Sequence, residues 1–196
     1  FTLAVYGTDK AGNDETPSVI TVTSDFNYPS ITISTPMGGA SAFYGPSRPT
    51  GQFAGNSADT PAGIMPLIKT QISNISELGA VKPKWDGSAW TVTPSTWMGI
   101  PLPLSPWTYT PPAWPANKRF KAEFWAVDYA GNQVPAGTYE QEFIYDVNKP
   151  STTIVQPSAA FQNAAQSLAF SGSAADWVKN ASTEALSGIG VDGIEV

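Results

Sequence analysis

Phe120-Lys121-Ala122-Glu123-Phe124-Trp125-Ala126-Val127-Asp128-Tyr129-Ala130-Gly131-Asn132 is the stretch that decides how this chain folds. Phe120, Ala122, Phe124 and Ala126 alternate with Lys121, Glu123, Trp125 and Val127, the period of two that separates a buried face from a more open one. The Asp-x-Ala-Gly-Asn that ends it is turn chemistry, in which an aspartate accepts backbone N–H groups and a glycine takes positive φ. Tyr139, Gln141, Phe143 and Tyr145 then resume the alternation, so the stretch predicts a β-hairpin.

The same pattern stands at the start of the chain. Phe1-Thr2-Leu3-Ala4-Val5-Tyr6 leads into Asp9-Lys10-Ala11-Gly12-Asn13, with Ile20 and Val22 in the return strand. Further on, Asp25-Phe26-Asn27-Tyr28-Pro29-Ser30-Ile31-Thr32-Ile33 parallels Asp146-Val147-Asn148-Lys149-Pro150-Ser151-Thr152-Thr153-Ile154, each followed by a proline, Pro36 and Pro157. Gln52-Phe53-Ala54-Gly55-Asn56-Ser57-Ala58-Asp59 parallels Ala169-Phe170-Ser171-Gly172-Ser173-Ala174-Ala175-Asp176. These offsets lie near ~120 residues, a single-domain period. The chain therefore reads as the C-terminal strands of one module (1–27), a complete module (28–148) and the N-terminal part of a third (149–196), an arrangement expected of a segment of a longer chain.

Within the middle module, short strands are expected at 31–33, 51–54, 67–72, 84–85, 90–92 and 107–109, with Asp86-Gly87 turning between two tryptophan-bearing strands. Adding the closing pair gives seven or eight strands in ~120 residues, the count of a β-sandwich. Its expected core includes Phe53, Ile72, Phe120, Phe124 and Phe143. Residues 94–116 carry seven prolines and are expected at an edge or in a loop, because proline is excluded from central strands.

Composition agrees with an all-β chain: 196 residues with 18 prolines, 17 glycines, 12% aromatic and 13% charged residues. A net charge of −6 leaves no electrostatic drive toward a phosphate backbone, so nucleic acid is not an expected partner. With no cysteine there is neither a disulfide nor a thiolate, and with no histidine the commonest proton-transfer side chain is missing. No apolar run approaches the ~20 residues needed to span a bilayer, and the first residues lack the pattern of a signal peptide. If the parent protein is exported, its signal is expected outside this stretch.

Taken together, Pro29 to Pro36, Phe53 to Asp59, Trp85 to Trp90, Ala126 to Asn132 and Asp146 to Pro150 resemble the bacterial Ig-like (Big-type) tandem repeats of giant surface proteins. The twice-present Asp-x-Ala-Gly-Asn turn, preceded by a strand, is the most specific element, while the proline-rich 94–116 departs from the family pattern. The resemblance implies immunoglobulin-like β-sandwich modules in tandem, at the cell surface or outside the cell, as parts of stalks, adhesins, surface layers, sheaths or filaments. Its implied partners are neighbouring modules or other copies of the chain.

Two sets of side chains are candidates for chemistry beyond scaffolding. Asp128, Asp146 and Asn148, or Asp9, Asp25 and Asn27, are hard oxygen ligands near a module junction, which makes calcium the one cofactor with candidate ligands. Trp85, Trp90, Trp97, Trp107 and Trp114 crowd one region; exposed, they would form a platform for glycans or another protein, and buried, they would be core. Carboxylates such as Asp86 with Glu123, or Glu140 with Glu142, lack a recognisable nucleophile or base context, so the chain is not expected to be an enzyme. Asn74-Ile75-Ser76 and Asn180-Ala181-Ser182 fit the glycosylation sequon.

Overall fold

The structure, a computed structural model, describes residues 1–38, 42–61, 64–76, 80–92, 96–101, 105–156 and 171–175, with backbone only for 64–67. All regular structure among these is strand. In chain order the strands are β1 (Thr2–Val5), β2 (Ser18–Thr21), β3 (Ser30–Thr35), β4 (Phe43–Tyr44), β5 (Phe53–Ala58), β6 (Ile64–Asn74), β7 (Lys84–Trp85), β8 (Trp90–Thr91), β9 (Met98–Ile100), β10 (Trp107–Tyr109), β11 (Lys118–Asp128), β12 (Tyr139–Tyr145), β13 (Ser151–Gln156) and β14 (Ser171–Ala175).

Between residues 28 and 148 the strands make a β-sandwich. One sheet has the order β10-β5-β3; the other runs β4-β12-β11-β6-β7-β8, with β9 also paired to β6. The alternation of 120–126 does what its period requires: Phe120, Ala122, Phe124 and Ala126 turn inward, while Lys121, Glu123 and Trp125 are only partly covered; Val127, expected on the open face, is buried instead. Phe53 of β5 meets Phe124 of β11 and Phe143 of β12, both at 6.2 Å between ring centroids, so the two sheets touch through their aromatic rings. All five expected core residues are buried. Losing one such ring typically costs about 3–5 kcal/mol.

The proline-rich stretch supplies edge elements, β9 beside β6 and β10 at the rim of the smaller sheet. Trp107 of β10 is fully buried, with its ring 5.1 Å from Phe124 and its Nε1 donating to the Asn56 carbonyl at 3.2 Å. Space for the indole comes from Gly55, where a Cβ would lie 2.5 Å from Trp107 Cζ2. The Asp86-Gly87 turn is a four-residue loop in which Gly87 has φ +101° and the Asp86 N–H donates to the Ala89 carbonyl.

The flanking strands repeat pairings of the sandwich. β1 pairs with β2 as Leu3↔Ile20 and Val5↔Ser18, matching Ala122↔Gln141 and Phe124↔Tyr139 of β11 and β12. β13 pairs with β14 as Ser151↔Ala175 and Ile154↔Gly172, matching Ser30↔Ala58 and Ile33↔Gly55 of β3 and β5. Even the irregularity recurs, between Ile33 and Thr35 in one pair and between Ile154 and Gln156 in the other. Burial differs: Phe1 is 79% and Ile154 81% exposed, whereas their counterparts Phe120 and Ile33 are fully buried and half-buried. The expected counterparts Phe170 and Asp176, Pro157 and the sequon 180–182 lie outside the described residues.

Candidate functional site

Asp9 and Asp128 build the two Asp-x-Ala-Gly-Asn turns in the same way. The Asn132 N–H reaches Asp128 Oδ1 at 2.8 Å and Asn132 Nδ2 reaches Oδ2 at 2.7 Å; Asn13 does the same to Asp9 at 2.9 and 2.8 Å. Gly131 and Gly12 take φ of +92° and +85°, which a glycine accepts without strain. Burial pushes the Asp128 carboxyl upward, but the side-chain and backbone donors of Asn132, with the N–H groups of Gly131 and Ala130, outweigh it and hold the carboxyl below its usual value. The exposed Asp9 is lowered chiefly by the side chain and backbone of Asn13.

The Asp-x-Asn linkers are equally local. The Asn27 N–H donates to Asp25 Oδ1 and the Asn148 N–H to Asp146 Oδ1, both at 2.9 Å. The linker ahead of the sandwich is tied to it, since Asn27 Nδ2 donates to the Thr60 carbonyl and Asn132 Nδ2 to the Asp25 carbonyl, at 2.9 and 3.2 Å. Through that tie Asp25, Asp59 and Asp128 converge, with one carboxylate oxygen from each within 4.8 Å of the others. The linker, the end of β5 and the turn after β11 each contribute one carboxylate.

This corrects the ligand sets expected from the sequence. Asp128, Asp146 and Asn148 do not come together, because the turn follows one end of the β11–β12 hairpin and the linker leaves from the other, where Lys118 pairs with Tyr145. The eleven residues of β11, at about 3.3 Å of rise each, separate the two ends. Asp9, Asp25 and Asn27 fail for the same reason around β1 and β2. Only Asp25 and Asp128, one from each set, share a cluster, and they do so with Asp59. In the sequence Asp59 stands out only as the end of the repeated 52–59 stretch. A signal was available: strand direction alone sends the linker ahead of β3 toward the turn after β11.

The tryptophans divide differently from a shared platform. Trp107 is core; Trp114 packs against Phe120 at 4.8 Å and Phe143 at 5.1 Å, and its Nε1 donates to Thr50 Oγ1. Trp90 lies 5.2 Å from Phe120 and 5.9 Å from Trp85, and both indoles are half-buried against the core. Trp97 alone of the five is exposed, at 38%. Four of the five thus spend their rings on the sandwich and leave no flat face for a ligand. Among the carboxylates weighed for catalysis, Asp86 holds its own turn through the Ser88 and Ala89 N–H groups, and Glu123 and Glu140 both pair with Lys121.

No family model and no curated protein matches this chain.

Proposed function

We propose that the chain is a run of immunoglobulin-like modules acting as a structural and interaction element of an exported cell-surface or extracellular assembly. The observation that carries this reading is the pair-for-pair repetition of strand register, bulge included, in β1–β2 and β13–β14. On this reading β1–β2 is the closing hairpin of one module and β13–β14 the opening pair of another. The strand order adds support: β3-β5-β10 and β12-β11-β6 correspond to the A-B-E and G-F-C order of immunoglobulin sheets. A design without cysteine, histidine or a described nucleophile–base pair suits a load-bearing spacer. Antibodies raised against 28–148 should label intact cells of the source organism or its extracellular material. Label seen only after lysis would overturn the reading.

A structural calcium ion is the second element of the proposal, favoured by the convergence of Asp25, Asp59 and Asp128. Carboxylates from three segments suit a hard cation and would lock the linker to the sandwich. Melting in millimolar Ca²⁺ against chelator tests it: a ligand of the native state at ~100 times its Kd adds about 2.7 kcal/mol of stability. The increment should vanish in Asp59→Asn. Equal melting temperatures with and without calcium would remove the ion.

A further inference from the structure

A second feature is a groove separate from the carboxylate cluster. It has a volume of about 670 Å³ and is lined by Tyr28, Lys69, Trp97, Trp125, Gln133 and Pro135, among others. We propose that this groove binds neutral glycans, by stacking the C–H faces of equatorially substituted pyranose rings on its aromatic side chains.

Position and rigidity come first. Lys69 and Trp125 are cross-strand partners on β6 and β11, two central strands, and the Lys69 ammonium sits 5.4 Å from the centre of the Trp125 ring. The other wall follows the Asp128 turn, where Gln133 bridges to Val127 and the Val134 N–H donates to the Ala126 carbonyl at 3.1 Å. A groove fixed by two strands and a closed turn is largely preformed, and its volume lies within the ~300–1,000 Å³ of ligand sites.

Chemistry selects the ligand class. Tyr28 and Trp97 are 62% and 38% exposed, large aromatic rings left in water where the rest of the tryptophan-rich stretch is packed away. Beside them stand an amide and an ammonium, donors that suit sugar hydroxyls, and no carboxylate is among the described lining residues. A purely apolar partner would strip water from Lys69 and Gln133 without repaying it. A polyanion would meet a chain of net charge −6, and the one cation among the described lining residues already faces an indole.

Three of the lining side chains are not kept in the parallel stretches. In the parallel stretches Lys149 stands where Tyr28 does, Tyr6 where Trp125 does, and Asp14 where Gln133 does. The matching hairpin β1–β2 forms without them. This combination of lining side chains is thus particular to residues 28–148.

Isothermal titration of the full chain with cellohexaose and with chitohexaose tests the proposal. At least one should bind with 1:1 stoichiometry, and Trp97→Ala and Trp125→Ala should each weaken it by about tenfold or more. Tyr6→Ala, which removes an exposed aromatic outside the groove, should bind as the unaltered chain does. Because Trp97 is exposed, its variant should keep the parent melting curve, so lost affinity there is not lost fold. Absence of binding by both saccharides at about 10 mM, or undiminished binding by the Trp97→Ala/Trp125→Ala double variant, overturns the proposal. Binding of polygalacturonate alone would also overturn it, by assigning the groove to anionic glycans.

Discussion

Gly55→Ala should lower the melting temperature of the 28–148 sandwich by about 6–10 °C. A Cβ at this position would lie 1.8 Å from the Thr32 carbonyl oxygen and 2.5 Å from Trp107 Cζ2. Neither neighbour has room to retreat. Thr32 belongs to β3, which is paired to β5, and the indole is backed by Phe124 and held through its Nε1 by Asn56. Overpacking a core costs about 1–3 kcal/mol, and a clash with backbone as well as ring belongs at the upper end. The stiffer unfolded chain returns about 0.4–1 kcal/mol, leaving a net loss near 2 kcal/mol. At roughly 3–5 °C per kcal/mol for a unit of this size, the expected shift follows. Thermal scans followed by near-ultraviolet circular dichroism would read both the stability and the tryptophan packing. Gly99→Ala is the control, since nothing lies within 4 Å of its added methyl, and it should melt at or slightly above the parent temperature. A Gly55→Ala protein melting within about 1 °C of the parent, with its tryptophan signal intact, would refute the claim that β5 and β10 pack on a backbone gap.

Thr70 is fully buried and its hydroxyl has no hydrogen-bond partner, so Thr70→Val should raise the urea midpoint by about 1 kcal/mol in equivalent stability; a lower midpoint would show that the hydroxyl is satisfied. Asp86 has its carboxyl held below the ordinary 3.8 by the Ala89 and Ser88 N–H groups and the Ser88 hydroxyl. A folded pKa below the unfolded one means stability that is present above the unfolded value and lost as pH falls through the folded one. Asp86→Ala should therefore melt lower than the parent near neutral pH and converge with it in acid, and a difference constant across that range would contradict the assignment.

The fold was legible because its signals are local. Alternation from Phe120 to Ala126 names the buried face without any tertiary knowledge, and the repeated Asp-x-Ala-Gly-Asn marks the same turn twice. The site was less legible because it depends on which ends of strands meet. Asp128 and Asp146 are close in sequence, yet β12 carries the chain away from one before it reaches the other. Composition also misleads about the tryptophans: Trp107 and Trp97 belong to the same aromatic-rich run, and only the gap at Gly55 decides that the first is core. In the sequence Trp125 is only the open-face member of an alternating strand, and nothing there places it beside Tyr28 and Trp97.

β4 and β12, the first strand of the larger sheet and the last, lie side by side and parallel, joined where the Ile144 N–H donates to the Ala42 carbonyl and the Asp146 N–H to that of Tyr44, at 2.9 and 2.8 Å. Tension along the chain would draw these neighbours past each other in opposite directions. Both bonds would then be loaded together, in shear, instead of opening one after the other like a zip. For an element strung between others, this seam would fail late under pull even where the edges of the sandwich are easily frayed.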